Sequence, residues 1–335
     1  MEYLGFVAIC SEFQQQEVIV SSPIPRTIAF ERILIPTDFS DASQRALEYA
    51  ESIARQYGSH LLLAHVNEPV NLITLPEDAW TDQRRAQEQI EQQLDQMGAE
   101  LRSNGFQAET VSVTGLVASE LLSLAAKEST DLIVVGTHGR SGVDRFLLGS
   151  DAETLLRRAV CPVFVVGPKA PAAGDGAWSP KAVVCASNLD LKTAPIAAYA
   201  YRLACQYHAA FTLFHVEDAG DEIRDWPQFE KALTHILSDK LGSIHSLWRE
   251  FSEKTTGLTI VDFAKERHSD LIIMGAHSAS TAASHLLRGI APQVFAEAPC
   301  PVMTLHLPYT ERQVGLMNPI KAIVNGSILF HLAFG

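Results

Sequence analysis

Arg32-Ile33-Leu34-Ile35-Pro36-Thr37-Asp38 returns 150 residues later as Ala182-Val183-Val184-Cys185-Ala186-Ser187-Asn188. Each stretch is a short apolar run that ends in a hydroxyl residue and an Asx residue. The same offset lays Leu61-Leu62-Leu63-Ala64-His65-Val66 over Phe211-Thr212-Leu213-Phe214-His215-Val216. Farther along, an offset of 139 places Asp131-Leu132-Ile133-Val134-Val135-Gly136 over Asp270-Leu271-Ile272-Ile273-Met274-Gly275, and Cys161-Pro162-Val163 over Cys300-Pro301-Val302. The chain is a duplication, and the difference between 150 and 139 means that the second copy is 11 residues shorter in its middle.

The copies occupy residues 30–167 and 180–307. Between them, 168–179 has a Pro/Gly/Ala composition that reads as a linker. An N-terminal extension (1–29) and a C-terminal tail (308–335) fall outside both, and no function is read from either. In the first copy, Ile33–Pro36, Leu61–Val66, Thr110–Val113, Leu132–Val135 and Val163–Val166 are short continuous apolar runs, the pattern of strands buried on both faces of a parallel sheet. Ala46, Leu47, Ala50, Ile53, Ala54 and Tyr57 keep helical spacing behind a Ser40/Asp41 start signal, as do Ile90, Leu94, Met97 and Leu101 in a Gln-rich segment. Strand–helix alternation predicts an α/β fold of two tandem open parallel sheets with helices on both faces and right-handed crossovers. The first copy has five strands. The second is expected to have five or four, because the helical pattern through Leu241, Ile244 and Leu247 leaves little room for a third strand before a helix starting near Thr259.

Of the 335 residues, 47% are hydrophobic and 19% charged, an ordinary globular balance long enough for two domains. No apolar run is long enough to span a membrane. A net charge of −13 disfavours nucleic acid. Met1 to Cys10 lack a basic region and a cleavage pattern, so no signal peptide is read and a cytoplasmic location is expected. The five cysteines (10, 161, 185, 205 and 300) are scattered without a C-x-x-C pair, and Cys161 and Cys300 read as small buried hydrophobes rather than redox or zinc residues.

Ligands on open parallel sheets sit at the carboxyl ends of the strands, where strand order reverses. Asp38, Val66 and Gly136 end three predicted strands there. After Gly136 come Thr137, His138 and Gly139, then nine residues, then Gly149 and Ser150. Glycines let backbone approach a ligand, successive amides make an anion-binding concavity, and the helix opened by Ser150-Asp151-Ala152-Glu153 adds a capping box and a partial positive charge. Plain turn chemistry also accounts for such glycines, and Asp38 alone also suits a cap for the next helix. No Walker A lysine follows, and the glycines follow strand four, unlike a dinucleotide fingerprint.

Gly136-x2-Gly139-x9-Gly149-Ser150, with Pro36-Thr37-Asp38 after strand one, resembles the ATP-binding signature of the universal stress protein family. The likeness covers 30–167 well and 180–307 more weakly. It implies an adenine-nucleotide alpha-hydrolase-like fold with ATP, with or without Mg2+, bound in the first copy. Asp38 would contact adenine, Val66 and Val135 would pack on the base, Gly136 and Gly139 would face ribose and phosphates, and Gly149 and Ser150 would hold the phosphate end. Asp151 departs from the family, which has a small apolar residue there; a carboxylate beside phosphate is unfavourable unless a metal intervenes. In the resembled family strand five pairs subunits in dimers. Here the sheet-edge runs Val163–Val166 and Val302–Leu305 are expected to pair either within one chain or between two chains in a homodimer.

In the second copy Asp38 becomes Asn188, Gly139 becomes Ser278, Gly149 becomes Arg288 and Ser150 becomes Gly289, while Gly275 persists. That copy is expected not to bind nucleotide in the family manner, a missing third strand also opening its pocket; a shifted anion contact from Arg288 is the contrary reading. His65 and His215 read as core or strand-end histidines, since no second metal ligand stands at a matching spacing. His138 and His277 read as loop histidines, with phosphate contact or acid–base work as the alternative for His138. The Gln/Glu-rich stretch from Arg84 to Gln96 reads as a solvated helix face. With no catalytic base, arginine finger or triad visible, ATP is expected to act as a ligand in stress response or signalling, through conformation or partners. A slow metal-dependent ATPase and a nucleotide-free interaction scaffold are the alternatives.

Overall fold

Ile33, Leu34 and Ile35 are fully buried in β1 (Arg32–Pro36), which pairs in parallel with β2 (His60–Asn67) on one side and β4 (Leu132–Gly136) on the other. Burial on both faces is what the unbroken apolar run demands. The first half continues through α1 (Asp41–Tyr57), α2 (Glu77–Ser103), β3 (Gln107–Thr114), α3 (Val117–Lys127), α4 (Ser150–Arg158) and β5 (Val163–Val166). The second half comprises β6 (Ala182–Ala186), α5 (Ala194–Gln206), β7 (Ala210–Glu217), α6 (Trp226–Leu237), β8 (Leu247–Phe251), α7 (Thr256–Glu266), β9 (Leu271–Gly275), α8 (Ile290–Glu297) and β10 (Val302–Leu305). The structure, a computed structural model, describes residues 27–68, 77–137, 150–217, 226–237, 247–251, 254–276 and 290–305.

The two halves form one ten-stranded sheet in the order β3-β2-β1-β4-β5-β10-β9-β6-β7-β8. Within each half the strands are parallel. At the centre β5 and β10 run antiparallel, with Val302 opposite Val165 and Thr304 opposite Val163. The two runs expected at sheet edges therefore meet each other within one chain, which removes both as exposed edges. One core, under α1, α2, α5 and α6, runs across both halves on one face, and a second, under α3, α4, α7 and α8, does so on the other.

The duplication is visible in details that hold each half together. Asp131, just before β4, accepts the N–H groups of Glu31 and Arg32 on one carboxylate oxygen, each at 2.9 Å. Asp270, just before β9, accepts those of Lys181 and Ala182 at 2.7 and 3.0 Å. Helix α1 starts on Ser40, whose hydroxyl accepts the Ser43 N–H, and stops at Gly58, left-handed at φ 68°, whose N–H reaches the Ala54 carbonyl. Its inner face is small (Ala42, Ala46, Ala50 and Ala54 are buried), so the helix lies close on the sheet.

Correction is needed for the third strand of the second half. Leu247–Phe251 forms β8, paired in parallel with β7, so that half has five strands and not four. Leu247 belongs to this strand and not to a helix; residues 241–246 lie outside the described residues. The strand is short and mixed in polarity, which hid its period. It is held sideways, by Trp248 packing beside Phe263 with the Arg267 guanidinium 4.3 Å from the Trp248 ring centre.

Aromatic side chains close the junction of the halves. Trp178 meets Phe164 of β5 and Tyr207 edge-on at 5.5 and 5.1 Å, and the Tyr207 hydroxyl donates to that of Tyr57 at 2.7 Å. Tyr57 and Tyr207 are equivalent positions of the repeat, so this contact lies where the halves mirror one another. Gln206 of the second half bonds both backbone groups of Ile28, just ahead of the first copy, and the backbone N–H of Trp178 donates to the Ser52 carbonyl of α1. Segment 168–179 is clasped along one face of α1: Arg45, Tyr49 and Ser52 donate to the carbonyls of Pro168, Pro171 and Gly176. Burial pushes the Tyr49 hydroxyl up to about 12, so it stays a donor at neutral pH. Gly167 is required where the chain leaves β5, since a Cβ there would lie 2.3 Å from the Phe295 carbonyl oxygen of α8.

Truncating Trp178 to Ala should cost about 3–5 kcal/mol, the usual loss for a buried large aromatic. Ser52→Ala should cost about 1 kcal/mol for one hydrogen bond. Urea unfolding measures both, and unchanged midpoints would show that segment 168–179 contributes nothing to stability.

Candidate functional site

The order β3-β2-β1-β4-β5 reverses direction between β1 and β4, and this is where chain termini of strands diverge and leave a crevice. Pro36 is the last residue of β1, and Gly136 the last of β4. Thr37 follows at once, buried, with its N–H on the Ala64 carbonyl of β2 at 2.8 Å. Asp38, Val66, Val135 and Gly136 thus come from three adjacent strands to one edge of the sheet. Val135 is buried and Val66 half-buried, and both belong to the face covered by α3 and α4. Together they form an apolar shelf flanking the end of β1.

A compact polar network shapes the turn that carries Asp38. One carboxylate oxygen of Asp38 accepts the Ser40 N–H at 3.1 Å and its hydroxyl at 2.6 Å. The Thr37 hydroxyl accepts the Phe39 N–H and meets the Ser43 hydroxyl at 3.2 Å. Ser43 also donates to the Ser40 carbonyl, tying the turn to the first turn of α1. Phe39 itself is left-handed, at φ 63°, a conformation that costs a non-glycine residue about 1–2 kcal/mol. Asp38 thus braces the turn before α1, while the cap of the helix itself is Ser40.

Gly136 has a structural duty of its own. A Cβ there would fall 2.3 Å from the Ala42 carbonyl oxygen, so the end of β4 and the first turn of α1 touch backbone to backbone. This contact sets the width of the crevice at its inner end. Beyond Gly136 the candidate residues divide: Ser150 opens α4 as expected, whereas Gly139, Gly149, His138 and their counterparts His277, Ser278, Arg288 and Gly289 lie outside the described residues. The described part of this edge offers an apolar shelf, Val66 and Val135, with the Asp38 carboxylate at the neighbouring strand end. Among the described residues no cluster of three or more His, Cys, Asp or Glu is placed to hold a metal.

The second half repeats the turn with altered chemistry. Ser187 replaces Thr37, Thr193 replaces Ser43, and their hydroxyls sit 3.0 Å apart. Asn188 accepts the Asp190 N–H as Asp38 accepts that of Ser40, so the turn survives but its carboxylate does not. Leu189 is left-handed at φ 58°, matching Phe39. The first helical turn tightens into a 3-10 turn, Leu191–Thr193, before α5. Because β8 is present, an opened pocket wall no longer distinguishes this half; the loss of the charge at 188 does.

His65 is a buried histidine near the end of β2, in keeping with a core or strand-end reading. The structure gives it a specific partner, the Thr37 carbonyl, 2.7 Å from Nδ1, and His215 repeats this with Ser187 at 2.9 Å. The recurrence of Thr/Ser and His at matching places in the repeat was the available signal, and pairing them needed the register of β1 on β2. Burial pushes the Cys161, Cys185 and Cys300 thiols up to about 12, so these three stay protonated at neutral pH.

Comparison with known proteins places these features. The profile of the universal stress protein family matches residues 29–167 and 250–306, more than half of the chain. A universal stress protein of Methanocaldococcus jannaschii is 34% identical over 139 residues, covering 41% of this chain and 82% of that protein. One of Mycolicibacterium smegmatis is 25% identical over 292 residues, covering 82% of this chain and 96% of that protein. The crystal structure of a universal stress protein from Archaeoglobus fulgidus superposes with a TM-score of 0.64 at 20% identity, covering 84% of this chain and 98% of that one. The profile omits residues 180–249, although β6 and β7 there keep the register of β1 and β2.

Gly136→Ala should lower stability by about 1–3 kcal/mol, because backbone cannot yield to a methyl group as a side chain end does. Thermal or urea unfolding measures it; a neutral effect would mean that α1 can retreat from β4 without loss.

Proposed function

Because the chain belongs to the universal stress protein family, we propose that its first half binds an adenine nucleotide, ATP, at the carboxyl edge of β1 and β4. Binding would act in stress response or signalling through conformation or partners rather than through turnover. The observation that carries this reading is the strand order, which brings Asp38 and Gly136 to opposite sides of the reversal point with Val66 and Val135 beside them. The base is read as lying on the valine shelf with Asp38 at its polar edge. Gly136 leads into the segment containing Gly139 and Gly149, and the opening of α4 at Ser150 supplies a helix N-terminus for the phosphates. Mg2+ would accompany the phosphates, where Asp151 otherwise brings a like charge.

The second half is proposed to lack this activity. Asn188 replaces the carboxylate, and Ser278 and Arg288 put side chains where the first half has glycine. Its role is then to complete the sheet and both cores, as the β5–β10 pairing supports. The protein is read as functioning in the cytoplasm. Turnover of ATP, with Asp38 or Asp151 holding a metal, remains the rival enzymatic reading, and a scaffold without nucleotide is the other.

Isothermal titration of the full chain with Mg·ATP tests the reading, beside Gly149→Arg, which imports the second half's residue. One site per chain, abolished in the variant, is expected. Two sites would overturn the assignment of the second half, and no binding would favour the scaffold. Release of phosphate that stops when Mg2+ is chelated would favour the ATPase.

A further inference from the structure

His65 lies on β2 at the same edge, but on the face opposite Val66. It is buried, with 8% of its surface exposed, and it makes two contacts that bracket Asp38. On one side its Nδ1 lies 2.7 Å from the Thr37 carbonyl. On the other its ring packs against that of Phe39, centroids 4.9 Å apart and planes inclined by 37°. A carbonyl only accepts, so Nδ1 carries the proton and donates. The bond fixes the orientation of the peptide plane between Thr37 and Asp38, while the Phe39 ring contact steadies the left-handed residue that follows. Asp38 is thus fixed from both neighbours by one side chain that does not itself reach the valine shelf.

We propose that His65 is the positioning residue for Asp38, holding its carboxylate in the orientation that the nucleotide base requires. This rests on the nucleotide reading above. The duplication supplies a comparison within the molecule. His215 keeps the bond to the strand-one carbonyl, at 2.9 Å from Ser187, and the residue that matches Phe39 in that half is Leu189, which has no ring to stack. The carbonyl bond alone is therefore what the fold needs in both halves. In the first half that same bond also sets the peptide that carries a carboxylate, Asp38, where the second half has Asn188.

The test is titration of the full chain with Mg·ATP, together with urea unfolding, for four variants. His65→Ala removes both contacts. His65→Asn restores a donor at the same bond distance from Cβ as Nδ1, and His65→Phe keeps a ring without the donor. His215→Ala makes the equivalent lesion in the other half. His65→Ala and His215→Ala should lose similar stability. Affinity should fall about tenfold in His65→Ala, the equivalent of one hydrogen bond's worth of positioning. His65→Asn should recover most of that affinity, His65→Phe little of it, and His215→Ala should bind as the wild type does. Unchanged affinity in His65→Ala, or an equal fall in His215→Ala, would overturn the positioning role while leaving the nucleotide reading intact. A wild-type chain that gives no binding would remove both.

Discussion

The antiparallel pairing of β5 with β10 governs how everything else in the molecule is arranged. A four-residue, mostly apolar strand forms the edge of each half taken alone, and each half's edge is covered by the other's. Antiparallel pairing turns the second half around an axis through the sheet, so the carboxyl edges of the two sets of strands face opposite ways. The two strand-one turns, at Asp38 and at Asn188, are consequently separated to opposite edges of one sheet. Among the described residues the halves meet through the shared cores and the central strands.

That arrangement also explains the path of the chain between the halves. Leaving β5, the backbone must pass α8 so closely that only Gly167 fits, and then cross α1 to begin β6. Arg45, Tyr49 and Ser52, on successive turns of one helix face, supply donors for carbonyls that a proline-rich crossing leaves without helical or sheet partners. Trp178 then fills the space between Phe164 and Tyr207. A segment with the composition of a flexible spacer is in this way built into the junction it spans, beside a cleft of about 410 Å3 lined by Tyr49, Ser52 and Cys300.

Comparing the halves separates what the fold requires from what a ligand would require. Both keep the aspartate before strand four that holds the entry to strand one, the histidine on strand two, the paired hydroxyls and the left-handed residue of the turn. These groups satisfy buried polar atoms and shape the backbone, so losing them would cost stability in either half. The carboxylate of Asp38 is different: Asn188 makes the same turn without it. The turn thus keeps an Asx side-chain oxygen in both halves, and only the first half adds a negative charge to it.

The duplication, the five-strand pattern of the first half and the placing of Asp38, Val66, Val135 and Gly136 at strand ends were legible in the amino-acid order, because hydrophobic period and repeat offset are local properties of the chain. Ser40 as a cap and Ser150 as a helix start were legible for the same reason. β8 was not, since five residues of mixed polarity carry no period, and only their pairing with β7 and the packing of Trp248 on Phe263 make them a strand. The fusion of two sheets into one, the clasping of 168–179 by α1, the need for glycine at 136 against Ala42, and the grip of His65 on both neighbours of Asp38 were decided by tertiary structure alone. Each depends on distances between segments far apart in the chain, and those distances are set by how strands register and helices pack, which no local pattern encodes.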